Sequence, residues 1–258
     1  MAPSGAMKQG IGSGGRIGPV DFSRRADLDE FAELMDQPSS REDMRACLRD
    51  LARVNRWFLG YRPTLEWLEG LRRDGRLSGQ GPVRILDVGC GYGDGLRRIA
   101  QWARRRGVAV ELIGLDLNPD IVAIAEEATP AGSGIRWVAG DVFAYPSADR
   151  VDVVVSALFA HHLRDGDVVR FVRWMEEHAR LGWFINDLSR AAVPYHLFGW
   201  FARVMGLHRF VQHDGPVSFA RAFQAADWRR LCGESGIAES QYQILPYKPA
   251  RLCVGRMR

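Results

Sequence analysis

The residues best suited to chemistry follow the first strongly apolar run of the chain. Residues 83–88 read as a buried strand, and the turn Gly89-Cys90-Gly91-Tyr92-Gly93 follows it directly. Glycine has no Cβ, so such a turn lets a ligand approach the backbone closely. The helix that begins after the turn offers free N–H groups at its first residues. The sequence therefore predicts a ligand site at the end of the first strand.

Acidic side chains in and after this turn narrow the class of ligand. Asp94 stands where the dinucleotide fingerprint GxGxxG requires its third glycine, and a carboxylate is a poor neighbour for a pyrophosphate. Asp116 and Asp141 end the next two predicted strands. The first carboxylate can accept hydrogen bonds from a ribose diol, and the second from an adenine amino group. The pattern disfavours NAD and FAD and favours a ligand without phosphates.

The DxGxGxG block with both downstream carboxylates resembles the class I S-adenosylmethionine-dependent methyltransferases, over about residues 80–258. The resemblance implies S-adenosylmethionine as the cofactor and S-adenosylhomocysteine as its product. It places Asp116 at the ribose, Leu117 against the adenine, and Asp141 and Val142 at the adenine edge. The other implied cofactor residues border the methionine end: Asp87, Gly89, Gly91 and Ser156. A non-catalytic scaffold with this fold is the distant alternative.

Two adjacent histidines predict where an acceptor loses its proton. His161 and His162 follow the fourth predicted strand, close to where the methyl group is expected. A neutral imidazole, with a pKa of about 6.5, can take a proton from a phenol. Asp187 follows the fifth strand and can orient a histidine. These three residues are the catalytic candidates, and helix capping or packing stays open as the alternative role for each.

A divalent metal ion is not expected. A metal-assisted catechol methyltransferase would have an Asp at the end of the fourth strand and an Asp-Asn pair after the fifth. Here Ser156 occupies the first place, and the pair is reversed as Asn186-Asp187. The four cysteines form no CxxC pair, which disfavours a structural zinc site.

Residues 188–223 form an aromatic insertion after the fifth strand. Tyr195, Phe198, Phe201 and His213 are the expected substrate contacts, in a lid over a hydrophobic acceptor. Two alternatives stay open. A helix pair can bury these rings in the core or at a dimer interface, or the insertion can attach to a membrane surface.

Residues 51–57, 186–188 and 213–216 carry a looser resemblance to small-molecule methyltransferases of the ubiquinone and menaquinone type. They resemble still more closely those found beside bacterial type III polyketide synthases. The resemblance implies O-methylation of a phenol, resorcinol or quinol in secondary metabolism. C-methylation of an aromatic ring or quinone precursor is the alternative, because the same base would serve both. Asn55, Arg56 and Tyr61 are expected to close over the methionine end.

Alternating strands and helices must position these residues. Apolar runs predict strands near 83–88, 108–115, 135–138, 151–156, 181–186, 241–245 and 251–256. Helices between most of them predict an α/β, Rossmann-like, doubly wound sheet that is mostly parallel and has helices on both faces. The resemblance implies seven strands, with the seventh inserted antiparallel.

The rest of the chain divides around this sheet. Residues 1–20 are rich in Gly and predict a flexible tail. Residues 21–79 predict a helical cap, whose first helix begins at the capping-box spacing of Ser39 and Glu42. Residues 80–258 form the predicted methyltransferase domain, with the lid inserted at about 188–223.

Composition limits the remaining classes of function. The 258 residues are 47% hydrophobic and 26% charged, as in an ordinary soluble protein. A net charge of +4 is too small to indicate nucleic-acid binding without a clustered basic face. No apolar run predicts a membrane span or a secretory signal, so a cytoplasmic location is expected. Monomer and homodimer both stay open.

Overall fold

A computed structural model describes residues 20–79, 81–146 and 150–258. Its sheet has seven strands in the order β3-β2-β1-β4-β5-β7-β6. Strands β1 to β5 are mutually parallel, whereas β7 runs antiparallel to β5 and to β6. The strands span Val83–Val88, Val110–Asp116, Ile135–Ala139, Val151–Ala157, Ala179–Leu188, Gln243–Tyr247 and Arg251–Met257. The predicted α/β fold and the antiparallel seventh strand are confirmed.

Helices cover both faces of this sheet, because alternate residues of each central strand point to opposite sides. One core joins Leu86 and Val154 of the sheet to helices α5 and α8. The other joins Ile85 and Val153 to α2 and α3. The helices are α1 Arg41–Trp57, α2 Arg62–Arg73, α3 Asp94–Arg106, α4 Pro119–Glu127, α5 Asp165–His178, α6 Ala192–Val204, α7 Arg209–Arg221 and α8 Ala225–Glu234.

Local capping decides where several helices begin. Helix α1 starts one residue later than the predicted capping box, because Ser40, and not Ser39, accepts the hydrogen bond from the N–H of Asp43 at 3.1 Å. Helix α4 starts as predicted, with the Asn118 side chain accepting from the N–H of Asp120 at 2.9 Å. The predicted tail, apart from residue 20, lies outside the described residues.

The segment before α1 is held against α7 by hydrogen bonds. The N–H groups of Leu34 and Met35 donate to the two carboxylate oxygens of Asp214, at 2.8 and 3.0 Å. The Ala26 N–H donates to the carbonyl of Ala220 at 3.0 Å. These contacts bring Glu33 and Asp36 to the ends of β4 and β5. Among the described helices, none is long and apolar enough to cross a membrane.

Candidate active site

A cavity of about 670 Å³ lies at the carboxyl ends of the central strands. Val88, Leu115, Ala157 and Asn186, each at or near the end of its strand, contribute to its wall. Doubly wound sheets bind ligands at this edge, and the volume is within the range of about 300–1,000 Å³ that small-molecule sites occupy. Helix α1 and the turn after β1 close the remaining sides.

The turn after β1 presents bare backbone to this cavity. Gly89 and Gly91 have φ angles of 69° and 51°, a region that side chains rarely adopt. A Cβ on Gly89 would stand 2.6 Å from the ring of Phe159, so packing also requires glycine there. A Cβ on Gly91 would meet no atom closer than 3.9 Å, which leaves the space in front of it free for a ligand. Both predicted glycines therefore border the cavity, and Gly91 is the one that leaves open space in front of its backbone.

The predicted carboxylates at the ends of β2 and β3 reach the same cavity. Asp116 accepts hydrogen bonds from the N–H groups of Gly91 and Asn118, both at 3.1 Å, which fixes its orientation and leaves lone pairs for a diol. Asp141 accepts from the Phe143 N–H at 2.9 Å and is exposed. Leu117 borders the cavity and is 73% exposed, so its apolar side chain is free to pack against a ligand ring. Val142 is buried beside it.

Asp87 is the most perturbed acid of the cavity wall. Burial, together with the charges of Asp94 and Asp116, raises the pKa of Asp87 to about 8. Burial also raises the pKa of Asp116. A positive ligand group placed here would favour the ionised carboxylates, whereas a phosphate would be repelled. The wall therefore fits a cationic sulfonium or ammonium group.

Ser156 lies behind this wall and not on it. Its side chain is buried, and its hydroxyl donates to the carbonyl of Val88 at 2.9 Å. This bond ties the end of β4 to the end of β1. The structure thus places Ser156 under the glycine turn and outside the cavity lining, and its position beneath the methionine end stays a prediction.

A polar network closes the cavity on the side of the α1–α2 connection. The sequence predicted Asn55 and Tyr61 there, but not their hydrogen-bond partners. The Tyr61 hydroxyl donates to the Asp94 carboxylate. Arg251 donates to the side-chain oxygens of Asn55 at 2.7 Å and Asn186 at 3.3 Å. Asn186 in turn donates to the carbonyl of Gly60 at 2.8 Å. The cap is thereby fixed to β5 and β7 at the cavity.

Arg251 could not be found from the sequence, because it starts a strand far along the chain and no motif surrounds it. In the part of the chain that the structure describes, its hydrogen-bond partners are neutral oxygens. Its guanidinium lines the cavity. It is a cationic group suited to a ligand carboxylate.

His162 is the histidine that reaches the cavity. Its side chain is 24% exposed, with Nδ1 at 3.2 Å from Asp36 and Nε2 at 3.7 Å from Glu33. Burial alone would lower the pKa of His162, but the charge of Glu33 and the hydrogen bond with Asp36 outweigh it and raise the pKa of His162 to about 9. Glu33 and Asp36 carry no sequence signal, since their segment has no periodicity.

His161 and Asp187 lie behind His162, fully buried. Nδ1 of His161 is 2.7 Å from Asp187, which also accepts from the His161 backbone N–H at 3.1 Å. The two imidazole rings are 4.4 Å apart between centroids. Burial alone would raise the pKa of Asp187, but the pairing with His161 lowers it. The geometry places this pair beneath the cavity wall, where it positions the turn that carries His162.

Glu33, His161 and His162 also have the spacing of metal ligands, with one donor atom from each within 4.8 Å of the others. Glu33 already has a cationic neighbour, because a guanidinium nitrogen of Arg221 lies 3.3 Å from it. Ser218 donates a further hydrogen bond to Glu33 at 2.9 Å. The charges of this cluster are therefore compensated by the chain's own groups.

The four predicted substrate residues do not line this cavity. Tyr195 packs edge-on against Phe22, at 5.4 Å between ring centroids. Phe201 packs against Phe58 at 5.1 Å, and Phe198 lies against Phe201 at 6.2 Å. Nδ1 of His213 is 2.8 Å from the neighbouring Asp214. In the described structure the three aromatic residues pack α6 against the cap and against α7, and their contact with a substrate stays a prediction.

Comparison with known proteins gives a consistent result. Residues 85–182 match a family model described as a methyltransferase domain. Magnesium protoporphyrin IX methyltransferase from Synechocystis PCC 6803, solved with bound S-adenosylhomocysteine, is 17% identical with a TM-score of 0.51, over 78% of this chain and 84% of that one. The plantazolicin methyltransferase BpumL, in complex with a monoazolic substrate analog and S-adenosylhomocysteine, is 14% identical with a TM-score of 0.57, over 84% and 96% of the two chains. A search of curated proteins found no match.

Proposed function

We propose that this class I, S-adenosylmethionine-dependent methyltransferase methylates the hydroxyl group of a hydrophobic phenol, resorcinol or quinol of secondary metabolism. The observation that carries the proposal is His162, a titratable side chain that enters a predominantly apolar cavity beside the glycine turn. Its charge is set by two carboxylates, those of Glu33 and Asp36. A phenolic hydroxyl is an acceptor that such a group can deprotonate.

The cofactor side of the cavity supports S-adenosylmethionine. Asp116 is oriented to accept from the ribose diol, Leu117 to cover the adenine, and Asp141 and Val142 to meet the adenine edge. Gly89 and Gly91 leave room for the methionine end. Arg251 is the cationic partner for its carboxylate, and Asp87 is the anionic partner for its positive groups. When bound, the cofactor supplies a methyl group on an electrophilic sulfonium.

His162 is the group that accepts the hydroxyl proton of the acceptor. A phenol has a pKa of about 10, close to that of His162, so the free-energy cost of moving the proton between them is small. The neutral form of His162, a minor fraction at pH 7, takes the hydroxyl proton, and the imidazolium that results stabilises the phenolate. The phenolate oxygen would then attack the methyl carbon, with the thioether product as the leaving group, and the proton would stay on His162 until its release to solvent after the transfer. Glu33 and Asp36 hold that proton, while His161 and Asp187 position the turn.

The proposal is tested with purified protein, S-adenosylmethionine and a panel of alkylated phenols and resorcinols. Product mass and NMR of the methyl position are expected to show an O-methyl ether, formed equally well with and without EDTA. A methyl group found on a ring carbon would show that the reaction is C-methylation and not O-methylation. Loss of turnover in EDTA, restored by a divalent metal ion, would overturn the metal-independent mechanism.

A further inference from the structure

Helix α6 turns an apolar face away from the protein. Val193, Leu197, Trp200 and Val204 recur at helical spacing and are 68%, 60%, 65% and 62% exposed. The sequence from residue 188 to residue 213 contains no Asp or Glu. Single exposed apolar residues are ordinary, but a whole helix face of them marks an interaction surface.

The end of helix α1 continues this face. Trp57, Phe58 and Leu59 are 41%, 36% and 57% exposed. Phe201 of α6 joins the two elements, with ring-centroid distances of 6.0 Å to Trp57 and 5.1 Å to Phe58. We name the exposed residues of α6 together with residues 57–59 the apolar face.

A row of arginines borders the apolar face. The guanidinium of Arg53 lies 5.9 Å from the Trp57 ring centroid. Arg53 also lines a cleft of about 390 Å³ between α1 and α3. The other arginines of this cleft are Arg49, Arg56, Arg97, Arg98 and Arg104.

This cleft holds an excess of positive charge. Within residues 20–79, 81–146 and 150–258, Arg53 is the cleft arginine that forms a salt bridge, with Asp50 at 3.1 Å. The one carboxylate that lines the cleft, Asp94, is engaged by the Tyr61 hydroxyl. The positive charge of the cleft arginines other than Arg53 therefore creates a surface that attracts anions.

We propose that the apolar face and the adjoining arginine cleft dock this protein on an anionic phospholipid bilayer. Apolar side chains with a tryptophan enter the boundary between headgroups and acyl chains, while arginines pair with lipid phosphates. A second copy, paired about a two-fold axis, would bring the two apolar faces together with two rows of arginines, while the nearby carboxylates Asp50 and Asp94 are already engaged within each chain. Charge complementarity therefore favours an anionic surface.

Docking in this orientation would place the cavity beside the bilayer. The inner side of α1, with Leu51, Ala52 and Asn55, lines the cavity, while Arg53 and Trp57 belong to the proposed docking surface. A single helix thus separates the lipid surface from the acceptor site. The inference does not depend on the proposed reaction, because lipid binding is measured without cofactor or acceptor.

The test is flotation of the full chain with large vesicles of phosphatidylcholine, with or without phosphatidylglycerol. We expect the protein to float with the anionic vesicles and to be released at high salt. The double variant Leu197→Glu/Trp200→Glu is expected to lose at least tenfold in partitioning. The double variant Arg49→Gln/Arg56→Gln, which removes two exposed cleft arginines without a salt bridge in the described part of the chain, is expected to lose about fivefold per residue on anionic vesicles.

The matched control is Arg136→Gln, which removes one charge from β3, outside the apolar face and the arginine cleft. It is expected to float as the unchanged protein does, and thermal melting of each variant reports folding. Equal flotation of all variants, or no flotation of a folded protein with anionic vesicles, overturns the proposal. A dimer that dissociates in the variant Leu197→Glu/Trp200→Glu also overturns it, because the apolar face would then be covered by a second copy of the chain. S-adenosylhomocysteine titration of the same samples separates this result from any failure of the proposed function.

Discussion

The proposed cofactor side and the proposed acceptor side of the cavity are built in different ways. On the cofactor side, Gly91, Asp116 and Asp141 lie at or shortly after the end of a strand. Neighbouring backbone N–H groups fix the two carboxylates. On the acceptor side, His162 depends on Glu33 and Asp36, which arrive from a segment more than a hundred residues earlier in the chain. The first side is local in sequence, and the second is assembled by tertiary contacts. Changes on each side should therefore have separable effects on cofactor affinity and on turnover.

The largest expected effect sharpens this separation. His162→Gln removes the titratable group but keeps a polar side chain of similar length. We expect kcat/KM for a phenolic acceptor to fall about a hundredfold or more, as is usual for loss of a general acid–base group. In the unchanged protein kcat/KM should rise with pH up to about 9, the pKa of His162. In the variant kcat/KM should lose the levelling at about pH 9 and follow only the ionisation of the phenol itself, at about pH 10.

His162→Gln should leave S-adenosylhomocysteine affinity within about twofold, because the change lies on the acceptor side. Steady-state kinetics from pH 6 to 9.5 and calorimetry on the same preparation measure both quantities. A variant that keeps full activity with an unchanged pH profile would remove His162 from the mechanism.

The second effect concerns the cofactor side. Because the pKa of Asp87 is raised to about 8 by burial and by neighbouring carboxylates, its side chain is largely protonated at pH 6. The ammonium group of S-adenosylhomocysteine favours the ionised form, so binding releases a proton. Affinity should strengthen by up to about tenfold per pH unit below pH 8 and level off above it.

Calorimetry in buffers of different ionisation enthalpy measures both the affinity and the released proton of Asp87. Asp87→Asn should bind with little dependence on pH. Wild-type affinity that stays constant from pH 6 to 8.5 would show that Asp87 is already ionised.

The smallest expected effect tests the boundary of the acceptor side. Tyr195 packs on Phe22, outside the cavity wall. Tyr195→Ala should therefore change kcat/KM by less than about threefold, since distant sites act independently. A tenfold or greater loss, in a variant with unchanged thermal stability, would restore the lid that the aromatic insertion suggested.

The same contrast explains what the sequence could predict. All seven strands were found within a few residues, because alternating and continuous apolar runs report burial directly. Strand β5 begins at Ala179, earlier than predicted, since Arg180 interrupts the apolar pattern while its side chain bonds to Asp152 at 2.7 Å. Most of the predicted cofactor residues border one cavity because they stand at or just after the end of such a strand.

The acceptor side resisted prediction for physical reasons. Aromatic density between residues 191 and 223 shows that rings must be buried or covered, but not which neighbour covers them. In the structure Phe201 contacts Trp57 and Phe58 of α1, so the insertion holds the cap in place. Glu33 lies near His162 and Arg221 only in the folded chain, so the sequence gives no sign of its role. The histidine pair was located correctly, but the difference in burial between His161 and His162 needed the structure.

The most direct test of the cofactor side is calorimetric titration with S-adenosylhomocysteine of the unchanged protein, Asp116→Ala and the control Asp120→Ala. Asp120 carries the same charge four residues later but lies outside the cavity. We predict micromolar binding, weakened about tenfold or more by Asp116→Ala, as expected for loss of a charged hydrogen-bond acceptor, and unchanged by Asp120→Ala. Equal affinity of all three proteins would contradict the placement of the ribose. Absence of binding to the folded, unchanged protein would contradict the assignment of this cavity to the cofactor.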